Sequence, residues 1–345
     1  MDDEKLFRSR LAYSGDLFPV VRRACAFFAL PEPRSMQLFT TGFENYSMKI
    51  DVGSKEVWVL KIFSKEATLS DISRYNNIVR QVVQGGVNHP VLRSGLNREI
   101  IYTDLPSDMH MVMVEYIPGI LMKNVTSIPE NIFKKVINEA VKISTLPIRP
   151  LYRFDMWQVD NIEWLYNETK HILHSDVRSK IEHVINNYLN IVDSLPRGFI
   201  HGDMTRTNVI ARSDKKGEVS ILDFGSAGVY PRIRELSIIA VHFLADGTLS
   251  LSKCIRKVCD EFVLQGGLLS DIEQDSMLVY AQAILATKYM CNVYQIDKST
   301  ETGEMAYWRN ASIIYLMSDS DTETPKRFTE KYAAYYSPDM WIKKP

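Results

Sequence analysis

Cysteine is scarce in this chain: four residues in 345, at positions 25, 254, 259 and 291. Their spacing supplies neither a disulfide framework nor a paired CxxC zinc pattern, so they read as reduced, mostly buried thiols. Long hydrophobic runs are absent too. The longest strongly apolar stretch, Ile238 to Ala245, spans eight residues and includes His242, whereas a membrane-crossing helix needs about 20. The opening residues Met1-Asp2-Asp3-Glu4-Lys5 are acidic and lack the basic and apolar regions of a signal peptide. Neither sign of charge prevails, with 41 Lys and Arg against 42 Asp and Glu, which leaves no strong nucleic-acid footprint. Repeats and low-complexity tracts are missing as well, which sets solenoids and propellers aside. The absences together point to a cytoplasmic protein with neither nucleic acid nor a membrane as its partner.

What the chain does contain is enough apolar residues, 46%, to build ordinary globular cores. Its length suggests two of them, at about 150 residues per domain. Strand signals crowd the first third: Met36 to Thr41, Tyr46 to Val52 and Glu56 to Phe63 are rich in β-branched and aromatic residues. Gly53-Ser54-Lys55 separates the last two as a hairpin turn does. A helix is expected over Leu69 to Gln84, stopped by Gly85-Gly86. Strands follow at Glu99 to Thr103 and Met111 to Tyr116, and Pro118-Gly119 breaks the pattern. Beyond residue 130 the apolar spacing turns helical, over Asn131 to Thr145 and Ile162 to Asn190. It resumes over Arg234 to Leu244, Leu251 to Leu264, Ser270 to Asn292 and Thr302 to Met317. Between the two helical blocks lies one β-rich island, Phe199 to Gly225. The expectation is an α+β chain, with a β-rich domain over 1–117 and a mainly helical one over 118–345.

The island carries the chemistry. It reads His201-Gly202-Asp203, then Asn208 five residues after the Asp, then Asp223-Phe224-Gly225 fifteen residues after the Asn. This is HxDxxxxN followed by DFG. Phosphoryl transfer asks for a base beside an acceptor hydroxyl, oxygen ligands for Mg2+ and a cation on the phosphates. The spacing supplies these parts. Asp203 can face the nucleophile while Asn208 faces a metal. The intervening hairpin, with its turn at Ser213 to Gly217, returns the chain so that Asp223 joins Asn208 on one ion. An amide oxygen and a carboxylate suit Mg2+, with nucleotide phosphates and water completing the shell.

On these residues the sequence resembles the aminoglycoside phosphotransferase and choline kinase group, small-molecule kinases with a protein-kinase-like fold. Protein kinases usually carry Arg where this chain has Gly202. The resemblance runs from about Leu38 to Leu316 and is sharpest over 199 to 225. It implies a small antiparallel N-terminal lobe with one helix, and a larger helical lobe holding the catalytic hairpin. It also implies ATP as the phosphoryl donor and a small hydroxylated molecule as the acceptor. Lys61, ending the strand Trp58 to Phe63, falls where the α/β-phosphate contact belongs. Val59, two residues earlier on the same strand face, is placed to cover the adenine. By the same resemblance Gly42 sits in the nucleotide-covering turn, and backbone groups of Glu115 and Ile117 hold the adenine edge. Ile210 and Leu222 belong to the same nucleotide pocket.

Two loop residues keep two readings each. His201 either braces the catalytic loop or acts as an acid/base, a role the resemblance gives to Asp203. Arg206 either touches the γ-phosphate or an anionic substrate, or is a solvated loop residue. Two positions depart from the family pattern. The helix residue that pairs with the lysine is normally Glu, yet Tyr75-Asn76-Asn77 stands there, leaving Glu66, Asp71 or Asn76 to take its place. A dozen residues beyond the DFG Asp stands Glu235 where Asp is commoner, with stabilisation of the following helix end as its expected task. The expected function is an ATP- and Mg2+-dependent kinase of an aminoglycoside, another antibiotic, an amino alcohol or a homoserine-like metabolite. The alternative is a catalytically silent nucleotide-binding or scaffold module.

Overall fold

The computed structural model describes residues 8–11, 13–39, 45–53, 56–244, 249–297, 312–313 and 315–318. The chain forms two compact units. Unit 1 comprises residues up to Asn124 together with Thr207–Gly225, and unit 2 comprises Val125–Arg206 and everything from Ser226 onward. The sequence break at Pro118-Gly119 falls before a short strand that stays with unit 1, because this strand pairs with the hairpin of the island. Backbone pairing, not the Pro-Gly turn, decides which unit owns these residues.

Unit 1 is built on five antiparallel strands: β1 (Pro33–Leu38), β2 (Tyr46–Val52), β3 (Glu56–Ile62), β4 (Tyr102–Asp104) and β5 (Met109–Glu115), in spatial order β1-β2-β3-β5-β4. Helix α1 (Phe18–Phe27) covers one face. Its Val20, Val21, Ala24 and Cys25 bury against Met48, Ile50, Leu60, Ile62 and Met111. Alternation along β3 then sends Val59 and Lys61 to the opposite face, where they lie across from Val114 and Val112 of β5. Helix α2 (Leu69–Gln84) begins at a capping box in which Thr68 and Asp71 satisfy each other's backbone N–H groups. It ends at Gly85, with Gly86 at φ +80° completing the stop.

The island's hairpin, β8 (Val209–Arg212) and β9 (Val219–Ile221), joins β6 (Gly119–Leu121) in a second sheet of unit 1. Strand β7 (Arg197–Ile200) belongs to unit 2 and pairs with β10 (Gly228–Pro231).

The rest of unit 2 is helical: α3 (Glu130–Ser144), α4 (Ile162–Thr169), α5 (Ser175–Val192), α6 (Ile233–Ile239), α7 (Leu251–Leu264) and α8 (Asp271–Asp297). Long α8 packs against α4, α5 and α6. The periodic run expected over 162–190 is two helices, because His174 caps a new start by accepting the Asp176 N–H. Helix α6 widens into a π turn over Ala240–Leu244, so the expected helix 234–244 is only partly α. No helix of the described residues is long and apolar enough to cross a membrane. Most of the helix expected over 302–317 lies outside the described residues, as does Gly42.

Candidate active site

Lys61 reaches the inner face of unit 1 with its side chain largely withdrawn from water; the residue is 7% exposed. Its ammonium donates to Oδ1 of Asp223 at 3.0 Å. It also lies 4.2 Å from the centroid of the Tyr75 ring and 5.8 Å from that of Phe63. Burial alone would push the ammonium's pKa down. The charge of Asp223 opposes this, and with the further contributions of Tyr75 and of the hydrogen bonding the net displacement is upward. The partners expected from sequence are placed otherwise. Asp71 turns onto Thr68 in the capping box, and Glu66 is exposed. Asn76 is buried, with neither amide atom partnered among the described residues. The correction has a simple cause: α2 meets Lys61 with a ring, and the carboxylate comes from the DFG segment 162 residues away in sequence.

Asp223 itself sits at φ +54°, a left-handed conformation that Asp tolerates better than most residues. This turn aims its carboxylate at Lys61 and lets the same Oδ1 accept the Gly225 N–H at 3.2 Å. The β8–β9 hairpin pairs Val209 with Ile221 and turns through Gly217 at φ +84°. Its open end therefore brings the backbones of Asn208 and Leu222 together, where the Leu222 N–H donates to the Asn208 carbonyl at 2.7 Å. The oxygens of Asp223 and Asn208 are the hard donors that Mg2+ accepts. The Lys61 ammonium already stands as a cation against one of them. Among the described residues no cluster of three or more His, Cys, Asp or Glu offers another metal site. Val59, Ile210 and Leu222 are half-buried and Ile117 is buried. The Glu115 N–H donates to the Val91 carbonyl at 2.9 Å. Every described residue expected to hold nucleotide or metal thus belongs to unit 1.

The residues of the HGD segment belong to unit 2. Strand β7 runs directly into His201, which is wholly buried. The Asp203 N–H donates to its Nδ1 at 3.1 Å, so the ring is engaged in bracing the loop. Gly202 sits at φ +79°, and a Cβ there would meet the Ser226 carbonyl at 2.6 Å. Backbone geometry and close approach both require glycine at this point. Arg234 donates to the Gly202 carbonyl and to Asp160, each at 3.2 Å.

Glu235 departs from its expected task. It is 3% exposed, and its Oε2 accepts the Gly202 N–H at 2.7 Å. Oε1 is buried and has no partner among the described residues. Burial raises the carboxyl to about 7. The side chain points inward because α6 is buried on all sides, so Glu235 ties down the HGD segment. Arg206 donates to the carbonyls of Val125 at 3.2 Å and Phe243 at 2.7 Å. Its guanidinium is drawn into the backbone of unit 2 and is not a solvated loop group.

Residues 35–251 match the model of the phosphotransferase enzyme family, APH. The chain belongs to this family. Membership bears out the resemblance seen in the HGD and DFG segments, and with it the expectation of an enzyme, a small-molecule kinase. No curated relative matches at the level of sequence. Among solved structures, a microcompartment-associated aminopropanol kinase is similar with a TM-score of 0.68 at 13% identity, covering 92% of this chain and 98% of that one. Amicoumacin kinase hAmiN, solved with AMP-PNP, Ca2+ and Ami, gives 0.63 at 13% identity over 96% of both chains. A choline/ethanolamine kinase family protein from Mesorhizobium loti gives 0.60 at 12% identity, covering 97% of this chain and 98% of that one. The chain therefore shares the protein-kinase-like α+β fold of these small-molecule kinases.

Two features of this APH chain escaped sequence reasoning. Tyr75 was visible only as the residue standing where an acid was expected, and nothing in its neighbours marks the ring as a lysine contact. Helix α1 had a readable signal, with Pro19 in its first turn and an apolar stripe at Val20, Val21, Ala24, Cys25 and Phe28.

Proposed function

We propose that the chain transfers the γ-phosphoryl group of ATP to a hydroxyl of a small molecule, with Mg2+ as the ion and the cytoplasm as its setting. The observation that carries this reading is the pairing of the buried Lys61 with Asp223, on a hairpin that also holds Asn208. In this reading Lys61 leaves Asp223 for the α- and β-phosphates when nucleotide arrives. Asn208 and Asp223 supply oxygen ligands to the ion, which when bound neutralises phosphate charge. Val59, Ile210 and Leu222 enclose the adenine, and the Glu115 carbonyl and Ile117 backbone meet its edge. Asp203 accepts the proton of the acceptor hydroxyl as that oxygen forms its bond to phosphorus; the bond to the bridging oxygen breaks and ADP departs. His201, Glu235 and Arg206 keep the loop that carries Asp203 in shape. Most of the acceleration comes from positioning and charge stabilisation.

The one departure that favours the alternative, a silent nucleotide-binding module, is the absence of an acid at the helix position that normally pairs with the lysine. Lys61 is held without that acid, by Asp223 and the Tyr75 ring, so the feature no longer argues for silence. The deciding experiment is a coupled ADP-release screen against amino alcohols, hydroxylated amino acids, aminoglycosides and other hydroxylated antibiotics, with Asp203→Asn as the control. Acceptor-dependent ADP release that Asp203→Asn abolishes supports the reading. ATP binding without turnover on any acceptor would favour the silent module.

A further inference from the structure

Helix α2 has a single acid, Asp71, and the capping box takes it to the N-terminus. The face of α2 turned toward the lysine presents Tyr75 instead. Its ring forms a corner with Phe63: centroids 5.9 Å apart, planes inclined at 73°. The Lys61 ammonium sits in this corner at 4.2 Å from one ring and 5.8 Å from the other. Both Lys61 and Tyr75 are buried. An ammonium over an aromatic face is held by the ring's quadrupole, and the attraction grows as water is excluded. Burial pushes the pKa of the Tyr75 phenol up, with the Lys61 charge beside it opposing the rise, and the protonated phenol leaves the ring a neutral partner.

We infer that the Tyr75 ring is the positioning residue for Lys61, taking over by cation–π contact the task that a carboxylate on this helix would otherwise perform. The inference rests on the assignment of Lys61 to the nucleotide phosphates. Its physical content is a difference in charge. A carboxylate holds a lysine by neutralising it, whereas a ring holds it and leaves the positive charge whole. Asp223, the one carboxylate among the described residues bonded to Lys61, is also the proposed metal ligand. Once an ion claims Asp223, the aromatic corner is what keeps the ammonium in place, with its full charge turned to the phosphates.

The test is a set of calorimetric titrations with Mg-ATP and with adenosine, on the full chain and without acceptor. The variants are Tyr75→Phe, Tyr75→Leu, Tyr75→Met, Lys61→Met and the Lys61→Met/Tyr75→Leu double. The expected result is ATP affinity within about twofold of wild type for Tyr75→Phe, which keeps the ring. Tyr75→Leu and Tyr75→Met should lose about thirtyfold, the scale of a desolvated cation–π contact, with adenosine affinity unchanged. In the Lys61→Met background Tyr75→Leu should cost nothing further, since the two residues act as one unit. Equal ATP affinity in the Phe and Leu forms overturns the inference, and so does a loss that persists after Lys61 is removed. Loss of adenosine affinity in both Leu and Met forms marks a purely structural ring and overturns it too. If Lys61→Met alone leaves ATP affinity unchanged, the phosphate role of the lysine fails and the inference falls with it. That failure is visible before any Tyr75 variant is compared.

Discussion

Glu235→Gln isolates the charge of one buried carboxyl, because the amide keeps an oxygen to accept the Gly202 N–H while removing the acid. In the wild type, burial raises this carboxyl from its ordinary 4.5 to about 7, with the Gly202 hydrogen bond opposing the rise. The folded protein therefore holds a proton on Glu235 up to about pH 7, whereas the unfolded chain releases it near 4.5. Between those values the folded state binds more protons, so stability falls as pH rises. The stabilisation is fully present below pH 4.5 and gone above about 7. At 1.36 kcal/mol per pH unit the whole effect is roughly 3 kcal/mol, of which about 2–3 falls between pH 5 and pH 8. Glutamine is neutral throughout and lacks this slope. Urea unfolding of both proteins at pH 5, 6, 7 and 8 gives the comparison, and subtracting one curve from the other cancels every other titrating group. The variant should gain on the wild type by about 2–3 kcal/mol across that range. A difference that stays flat with pH would refute the argument and mean that Glu235 is ionised in its buried site throughout.

Three other perturbations follow from the same geometry. Asp203→Asn should lower transfer by about a hundred- to ten-thousandfold, the usual scale for a general base, while ATP affinity by calorimetry stays near wild type; an unchanged single-turnover rate would sink the base assignment. Asn208→Ala and Asp223→Ala should each raise the Mg2+ concentration for half-maximal turnover, Asp223→Ala the more because it removes a full charge; full turnover in excess chelator would contradict both. Gly202→Ala forces a Cβ to 2.6 Å from the Ser226 carbonyl at φ +79°, so thermal unfolding should show a loss of about 1–3 kcal/mol together with a fall in kcat. A variant as stable and active as wild type would show that the loop relaxes freely.

The active-site elements were legible where the information is local. The strands around Lys61 and helix α2, with its Thr68 cap and Gly85-Gly86 stop, follow from patterns confined to a few residues. The HGD and DFG segments are readable for the same reason: a loop and a hairpin impose fixed spacings. What stayed hidden depends on contacts between distant segments. No pattern near Lys61 announces that its carboxylate arrives from Asp223, or that α2 offers an aromatic face. Glu235 looked like a helix-end acid because it does stand in the first turn of α6; only burial on every side turns it toward Gly202. The split of 162–190 into two helices came from a histidine acting as a cap, a residue that sequence rules rarely use so.

The chain crosses between its two compact units at 124/125, 206/207 and 225/226. Asp203 and Asn208, five residues apart, are thus assigned to different units, while Lys61 and Asp223 share one. Unit 1 is consequently not a contiguous stretch of gene. A fragment ending at Asn124 would contain Lys61, the proposed phosphate-binding cation, but lack both proposed metal oxygens, along with two strands of its second sheet. Those return only with the segment Thr207–Gly225, supplied in cis or as a complementing peptide. For anyone exchanging unit 2 between relatives, the exchangeable pieces are residues 125–206 and those from 226 onward, spliced around a short insert that must stay with its original N-terminal partner. A chimera joined once, at residue 124, would take Lys61 from one parent and its carboxylate from the other.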